Sequence, residues 1–323
     1  MQSAEALLGS AESGDRRALA RLISAAERGE DLPPIPLAVE RAASQLCVGI
    51  TGAPGAGKST LVSALTAELL CSEERIAVLA VDPSSPISRG ALLGDRVRMH
   101  DHATSPQVFI RSMATRSHHG GLAAATQTAR RLLQHCDWPL VLIETVGVGQ
   151  IELEVVNTAN LAVVVLNPGW GDEIQANKAG LMEIADIFVI NKADRPGLEQ
   201  TRRDLDAVII NRRPEERPAV VETVASEGKG VAELAAAMRA VQQRLVDSGE
   251  LLRRRRLQLR EELAQRASAR FASNLAVAQD GDDFEGLVDR LESGSCTVDD
   301  AAGDLLTAVL TNPVAPARKS DEH

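Results

Sequence analysis

Between residues 46 and 223, seven short apolar runs alternate with helical stretches: LCVGI (46–50), IAVLAV (76–81), VFIR (108–111), LVLIE (140–144), LAVVVL (161–166), IFVIN (187–191) and AVVET (219–223). Each is nearly continuous in β-branched and aliphatic residues, the pattern of a strand covered on both faces. Strands alternating with helices predict a parallel α/β sheet. Residues 1–40 read as helix instead. Leu19, Leu22, Ile23 and Ala26 share one face, Ser13 or Asp15 offers an N-cap, and Gly29 a stop. The Pro-rich stretch Asp31 to Pro36 reads as a linker.

After about residue 230 no strand is expected. Val231, Leu234, Met238, Val241 and Leu245 are spaced 3, 4, 3 and 4, and Leu252, Leu259 and Leu263 follow at 7, 7 and 4. Heptad-like spacing of this kind predicts long helices packing on something else, such as another subunit. Gly249 interrupts them, and a last helical segment runs from about 284 to 310 before a polar tail. The run Arg253–Arg256 reads as a solvated helix face, with a docking patch as the alternative.

Composition narrows the classes. Of 323 residues, 35 are basic and 45 acidic, a net charge of −10, which argues against a general affinity for nucleic acid. Aromatic residues are 2 % and Tyr is absent, so the core must be Leu, Val, Ile and Ala. No apolar run reaches the roughly 18 residues of a membrane span. The first residues lack a basic stretch followed by an apolar one, so no secretory signal is expected. Four scattered cysteines without C-x-x-C spacing suit a reducing cytoplasm, as buried small hydrophobes.

The chemistry begins at GAPGAGKS, with a strand before it and the helical face of Leu61, Leu65 and Leu69 after it. This is G-x-x-x-x-G-K-[S/T] in its required context. Gly52, Ala53, Pro54, Gly55, Ala56 and Gly57 form a backbone cradle for phosphate, and the helix opening at Lys58, Ser59 and Thr60 adds its positive end. Lys58 brings a full charge to the outer phosphates, and the Ser59 hydroxyl is a candidate Mg²⁺ ligand. Asp82 and Glu144 end strands, where ligands sit in open parallel sheets, and Asp95 follows in G-D-R; all three are candidates for direct or water-mediated Mg²⁺ coordination.

Asn191-Lys192-Ala193-Asp194 follows the strand IFVI. The Asp194 carboxylate is able to accept from guanine N1–H and the 2-amino group, whereas adenine offers an acceptor at N1 and no 2-amino group. Such a site penalises ATP. The Lys192 stem covers one face of the base, Asn191 braces the phosphate loop, and Ala225 is placed to offer its N–H to guanine O6. The ligands expected are therefore GTP or GDP with Mg²⁺.

These motifs sit within longer blocks that resemble the MeaB/ArgK-type G-proteins, chaperones of adenosylcobalamin-dependent acyl-CoA mutases. The blocks are GAPGAGKST (52–60), VDPSSPISRGALLGDRVRM (81–99), FIRSMATRSHHGGLA (109–123), ETVGVGQIELEV (144–155), PGWGDEIQANKAGLMEIAD (168–186) and NKAD (191–194). The resemblance implies an α/β P-loop GTPase fold. Its parts would be an N-terminal helical extension (1–40), a GTPase domain with a mostly parallel sheet (41–235), a helical dimerising arm (236–312) and a disordered tail (313–323). It implies that segments 82–98 and 146–150 act as first and second switches, and that 171–178 relays nucleotide state to the mutase. Gln175 and Lys178 match positions the family uses to complete the site with its partner. The client would be methylmalonyl-CoA mutase or a relative acting on isobutyryl- or 2-hydroxyisobutyryl-CoA, with the adenosyltransferase that supplies the cofactor as a further partner. Ile151 and Trp170 depart from the family pattern.

Together these readings predict a cytoplasmic, homodimeric GTPase that gates adenosylcobalamin loading and protection of the mutase, slow without its partner. The competing readings are an ATP-dependent kinase of a transport protein, a metal-insertion GTPase and a GTP-binding structural subunit. N-K-A-D opposes the first, and the second lacks a His-rich or Cys-rich stretch.

Overall fold

The computed structural model describes residues 3–30, 32–35, 45–72, 75–82, 102, 104–114, 121–145, 156–169 and 183–311. All seven apolar runs form strands: β1 (Leu46–Gly52), β2 (Ile76–Asp82), β3 (Val108–Ala114), β4 (Leu140–Thr145), β5 (Leu161–Leu166), β6 (Ile187–Asn191) and β7 (Ala219–Thr223). They make one sheet in the order β3-β2-β4-β1-β5-β6-β7, and every adjacent pair is parallel.

Helices cover both faces. On one side α3 (Lys58–Leu69) and α6 (Val231–Asp247) pack over alternate strand residues such as Val48, Ile50, Val78 and Leu142. On the other, α1 (Ala4–Glu12), α2 (Arg16–Glu27) and α4 (Gly121–His135) cover Cys47, Ala77, Leu79, Val141 and Ile143. This two-sided burial is why the strands read as apolar runs rather than alternations. Asp15 caps α2, its Oδ1 accepting from the amides of Arg17 at 2.8 Å and Ala18 at 3.2 Å.

The chain divides into two compact units, Met1–Arg255 and Arg256–His323. Two readings of the spacing change here. The N-terminal helices are part of the first unit's core: Leu19, Leu22 and Ile23 cluster with Leu132 and Trp138. Trp138 is fully buried, 5.6 Å from the Phe109 ring, with the Arg75 guanidinium 4.1 Å from its centroid. The residues Val231, Leu234, Met238, Val241 and Leu245 are equally buried, against this chain's own sheet. The expected edge at 235 falls inside α6, because a stripe with 3–4 spacing serves a sheet face as well as a coiled-coil seam.

After Gly249, α7 (Glu250–Gln279) begins in the first unit and continues into the second, followed by α8 (Asp282–Glu292) and α9 (Val298–Thr311). The last helical segment is thus two helices, broken by a turn at Gly294 with φ 69° and joined by an Arg290–Asp304 ion pair at 2.8 Å. In the second unit Leu263, Val298 and Leu310 are exposed. Among the described residues no helix is long and apolar enough to cross a membrane.

Candidate functional site: a phosphate loop joined to a base-reading strand end

The sheet order places β1 at its centre, so Gly52 delivers the chain to the carboxyl edge between β4 and β5. The loop 53–57 then turns into α3. Pro54 and Gly55 are exposed at its tip, while Ala53 and Ala56 are buried. Two glycines are sterically required. A Cβ on Gly52 would stand 2.1 Å from the Val165 carbonyl oxygen, and one on Gly57, whose φ is +92°, would stand 2.4 Å from Asn191 Nδ2. Gly57 gives α3 no side-chain cap, and the positive end of the helix opens directly onto the loop, where an anion is favoured. Lys58 is buried, its Nζ donating to the carbonyls of Gly52 at 2.7 Å and Ala53 at 3.0 Å. Thr60 is half-buried in the same helix turn.

Ser59 Oγ donates to Glu144 Oε1 at 2.6 Å, bringing two candidate Mg²⁺ ligands together across 85 residues. Asp82 ends β2, the strand paired with β4, and Ser59, Asp82 and Glu144 are all buried. This is a hard oxygen donor set of the kind Mg²⁺ takes alongside nucleotide phosphates. Among the described residues no group of three or more His, Cys, Asp or Glu forms a metal cluster by itself. The Ser59 hydroxyl and the Asp82 and Glu144 carboxylates are oxygen donors of the type that would fit a Mg²⁺ bound also by nucleotide. Asp95, Gln175 and Lys178 lie outside the described residues, as do positions 83–98, 146–150 and 170–178.

Asn191 is the hub of the base side. Its Nδ2 donates to the Ala56 carbonyl at 2.9 Å, and its Oδ1 accepts from Thr223 Oγ1 at 3.0 Å and from the Ala225 amide at 3.1 Å. One buried amide thus ties the phosphate loop, the end of β7 and the following turn. The Ala225 N–H, read from sequence as facing guanine O6, is committed here to Asn191. Thr223 was not singled out by the sequence; its only signal is its place at the end of a strand, beside the T-V-A-S-E-G-K-G turn.

Lys192 adopts the left-handed conformation at φ 59°, and its Nζ donates to the Gly55 carbonyl at 2.6 Å. The Lys192 stem thus runs from the base motif to the loop tip. Asp194 is exposed. Nearby, Lys229 pairs with Glu227 at 2.7 Å. Glu227 first, with Asp194 behind it, holds the Lys229 ammonium above its ordinary range.

At the opposite edge, one of the four arginines of the 253–256 run has a structural task. Arg254 makes two hydrogen bonds at 2.9 Å to the carboxylate of Asp186, the residue before β6, and one at 3.4 Å to the carbonyl of Asn160, the residue before β5. Arg253 remains exposed on Glu250, as expected of a solvated face. Of the cysteines, Cys47 and Cys136 are buried but Cys71 is exposed, and all four are free thiols. Burial pushes the Cys47 and Cys136 thiols up to about 11.

Comparison with known proteins agrees with this geometry. A putative GTPase of Pyrococcus horikoshii is 45 % identical over 81 % of this chain and 85 % of its own length. GTPase ArgK of Escherichia coli is 37 % identical over 74 % of each chain. The mouse mitochondrial methylmalonic aciduria type A homolog is 39 % identical over 65 % of this chain and 52 % of its own. The crystal structure of a LAO/AO transport system kinase superposes with a TM-score of 0.63 at 24 % identity, covering 96 % of this chain and 98 % of that one, a likeness of fold. The family of methylmalonyl-CoA mutase-associated GTPases, MeaB, matches residues 29–280. With phosphate loop, guanine motif and parallel sheet joined as described, the chain belongs to the MeaB family of P-loop GTPases.

Proposed function

We propose that this GTPase uses GTP binding and hydrolysis to gate the loading of adenosylcobalamin into an acyl-CoA mutase, and to protect the loaded enzyme. The observation that carries the reading is the Asn191 hub, because it joins the N-K-A-D strand end to the phosphate loop through one buried side chain. Family membership supports the mutase as partner. Methylmalonyl-CoA mutase is the first client to test, with the isobutyryl- and 2-hydroxyisobutyryl-CoA enzymes as relatives.

In hydrolysis a water attacks the γ-phosphorus in line. The new P–O bond forms as the bond to the β-phosphate oxygen breaks, giving GDP and phosphate. Lys58 leaves its carbonyl partners for the phosphates and neutralises charge that develops on the outer oxygens. The α3 amides hold the β-phosphate, while Asp194 fixes the base. Ser59 with Asp82, Asp95 and Glu144 would hold Mg²⁺, which would supply further positive charge beside the phosphates. Gln175 and Lys178 complete the site when the mutase is bound, so turnover by the GTPase alone is slow. An adenosyltransferase that makes the cofactor is the natural donor.

The C-terminal helices supply the self-association surface in this reading, through exposed Leu263, Val298 and Leu310. Leu263→Glu should shift a dimer toward monomer in light scattering. A cut at 235 would instead open the core around Met238 and Leu245. Four free thiols suit a reducing cytoplasm. The test of the whole reading is co-purification. Tagged protein with GTP should retain a cobalamin-dependent mutase, and capture that ignores nucleotide state would contradict gating.

A further inference from the structure

Two Pro-Gly turns meet on this molecule. Pro168–Gly169 follows β5 and leads toward the segment carrying Gln175 and Lys178, while Pro196–Gly197 follows the guanine motif and opens α5 (Leu198–Ile209). The Gly169 amide donates to Thr201 Oγ1 at 3.1 Å. Thr201 is 1 % exposed, and its own amide donates to the Gly197 carbonyl at 3.0 Å. The two turns lie so close that a Cβ on Gly197 would stand 3.4 Å from Gly169 N. On the other side, the Arg195 amide donates to the Lys192 carbonyl at 3.0 Å, so the guanine motif closes into a tight turn directly before Pro196.

We propose that Thr201 is a positioning residue that transmits guanine binding at Asn191–Asp194 to the exit of β5, and hence to the start of the segment that answers to the mutase. The last step rests on the role given above to Gln175 and Lys178. The link is mechanical. Asp194 and Thr201 are separated by a turn, a proline with fixed φ and the first residues of a helix, a stretch with few soft dihedrals. A base drawn onto Asp194 orders that stretch, and the buried hydroxyl carries the order to the Gly169 backbone. The Thr201 oxygen accepts from another element, so this contact ties α5 to the exit of β5.

The experiment is hydrogen–deuterium exchange of the 167–180 peptide in the full chain, without nucleotide and with saturating GDP. It compares wild type, Thr201→Val and Thr201→Ser, with GDP affinity measured by calorimetry. GDP should slow wild-type exchange about fivefold or more, whereas the Val variant should bind GDP within about twofold of wild type yet show no slowing. Ser should restore the slowing, which a loss of packing volume alone would not allow. If the Val variant does not fold, Thr201→Ala takes its place. Equal slowing in the Val or Ala variant overturns the proposal, as does GDP binding in wild type without slowing. Normal slowing together with no mutase-stimulated hydrolysis would sink the mutase reading and leave the Thr201 link standing.

Discussion

Asn191 Nδ2 donates to the carbonyl of Ala56 at 2.9 Å, across 135 residues of sequence. The same side chain accepts from Thr223 and Ala225, and it is 2 % exposed. Asn191→Ala leaves those buried groups without partners. It should cost about 3 kcal/mol or more in nucleotide-free urea unfolding, because three groups lose a partner at about 1–3 kcal/mol each. A loss under about 1 kcal/mol would show that the three elements are held together by packing instead.

Asp194 is exposed and beside Lys229, so its substitution should not disturb the core. Asp194→Asn should weaken GTP and favour xanthosine triphosphate, because the amide donates to the 2-oxo group and still accepts from N1–H. Competition binding should move the GTP/XTP preference by about 100-fold or more, the scale of a mispaired polar contact. An unchanged ratio would remove Asp194 from the base site.

Strand positions, the phosphate loop and the guanine motif were legible in the sequence because each is local. A buried strand is a run of apolar residues, and a phosphate cradle is a run of glycines before Lys58. What joins them was not legible. Asn191 to Ala56, Ser59 to Glu144 and Arg254 to Asp186 are contacts between distant segments, and no periodicity encodes a partner 68 or more residues away. The stripe from Val231 to Leu245 shows the complementary limit. Its spacing specifies an apolar helix face but not what covers it, and here the cover is the chain's own sheet. Asp95 stands on its place in G-D-R, and Gln175 and Lys178 on family resemblance.

The Arg254–Asp186 pair offers a stability test remote from nucleotide. Asp186 has a side chain 6 % exposed, so Arg254→Met strands a buried carboxylate. We expect a loss of about 2–4 kcal/mol, near the lower end for broken buried pairs because Arg254 keeps some solvent contact. Adding Asp186→Asn to Arg254→Met should recover part of it. Strict additivity of the two substitutions would mean that the pair does not act as a unit.

Glu250 carries a pH signature. Hydrogen bonds from Arg253 and then Arg254 hold its carboxyl down at about 2, below its ordinary 4.5. A depressed folded value adds stability that is fully present above pH 4.5 and is lost as pH falls toward 2. The gap in urea midpoint between wild type and Glu250→Gln should therefore be constant at neutral pH and narrow between those two values. A gap that stays constant throughout the acid range would contradict the pairing.

In the proposed function a mutase completes the GTPase site through Lys178. A cation brought to the phosphates only in the complex stabilises the partner-bound transition state and spares ground-state binding. The most direct measurement is phosphate release from GTP by wild type and Lys178→Ala, each alone and with saturating methylmalonyl-CoA mutase. We expect slow basal release in both proteins, stimulation of the wild type by the mutase, and loss of that stimulation in the variant. Equal stimulation of the two proteins, or a variant with impaired basal release and GTP affinity, would contradict it.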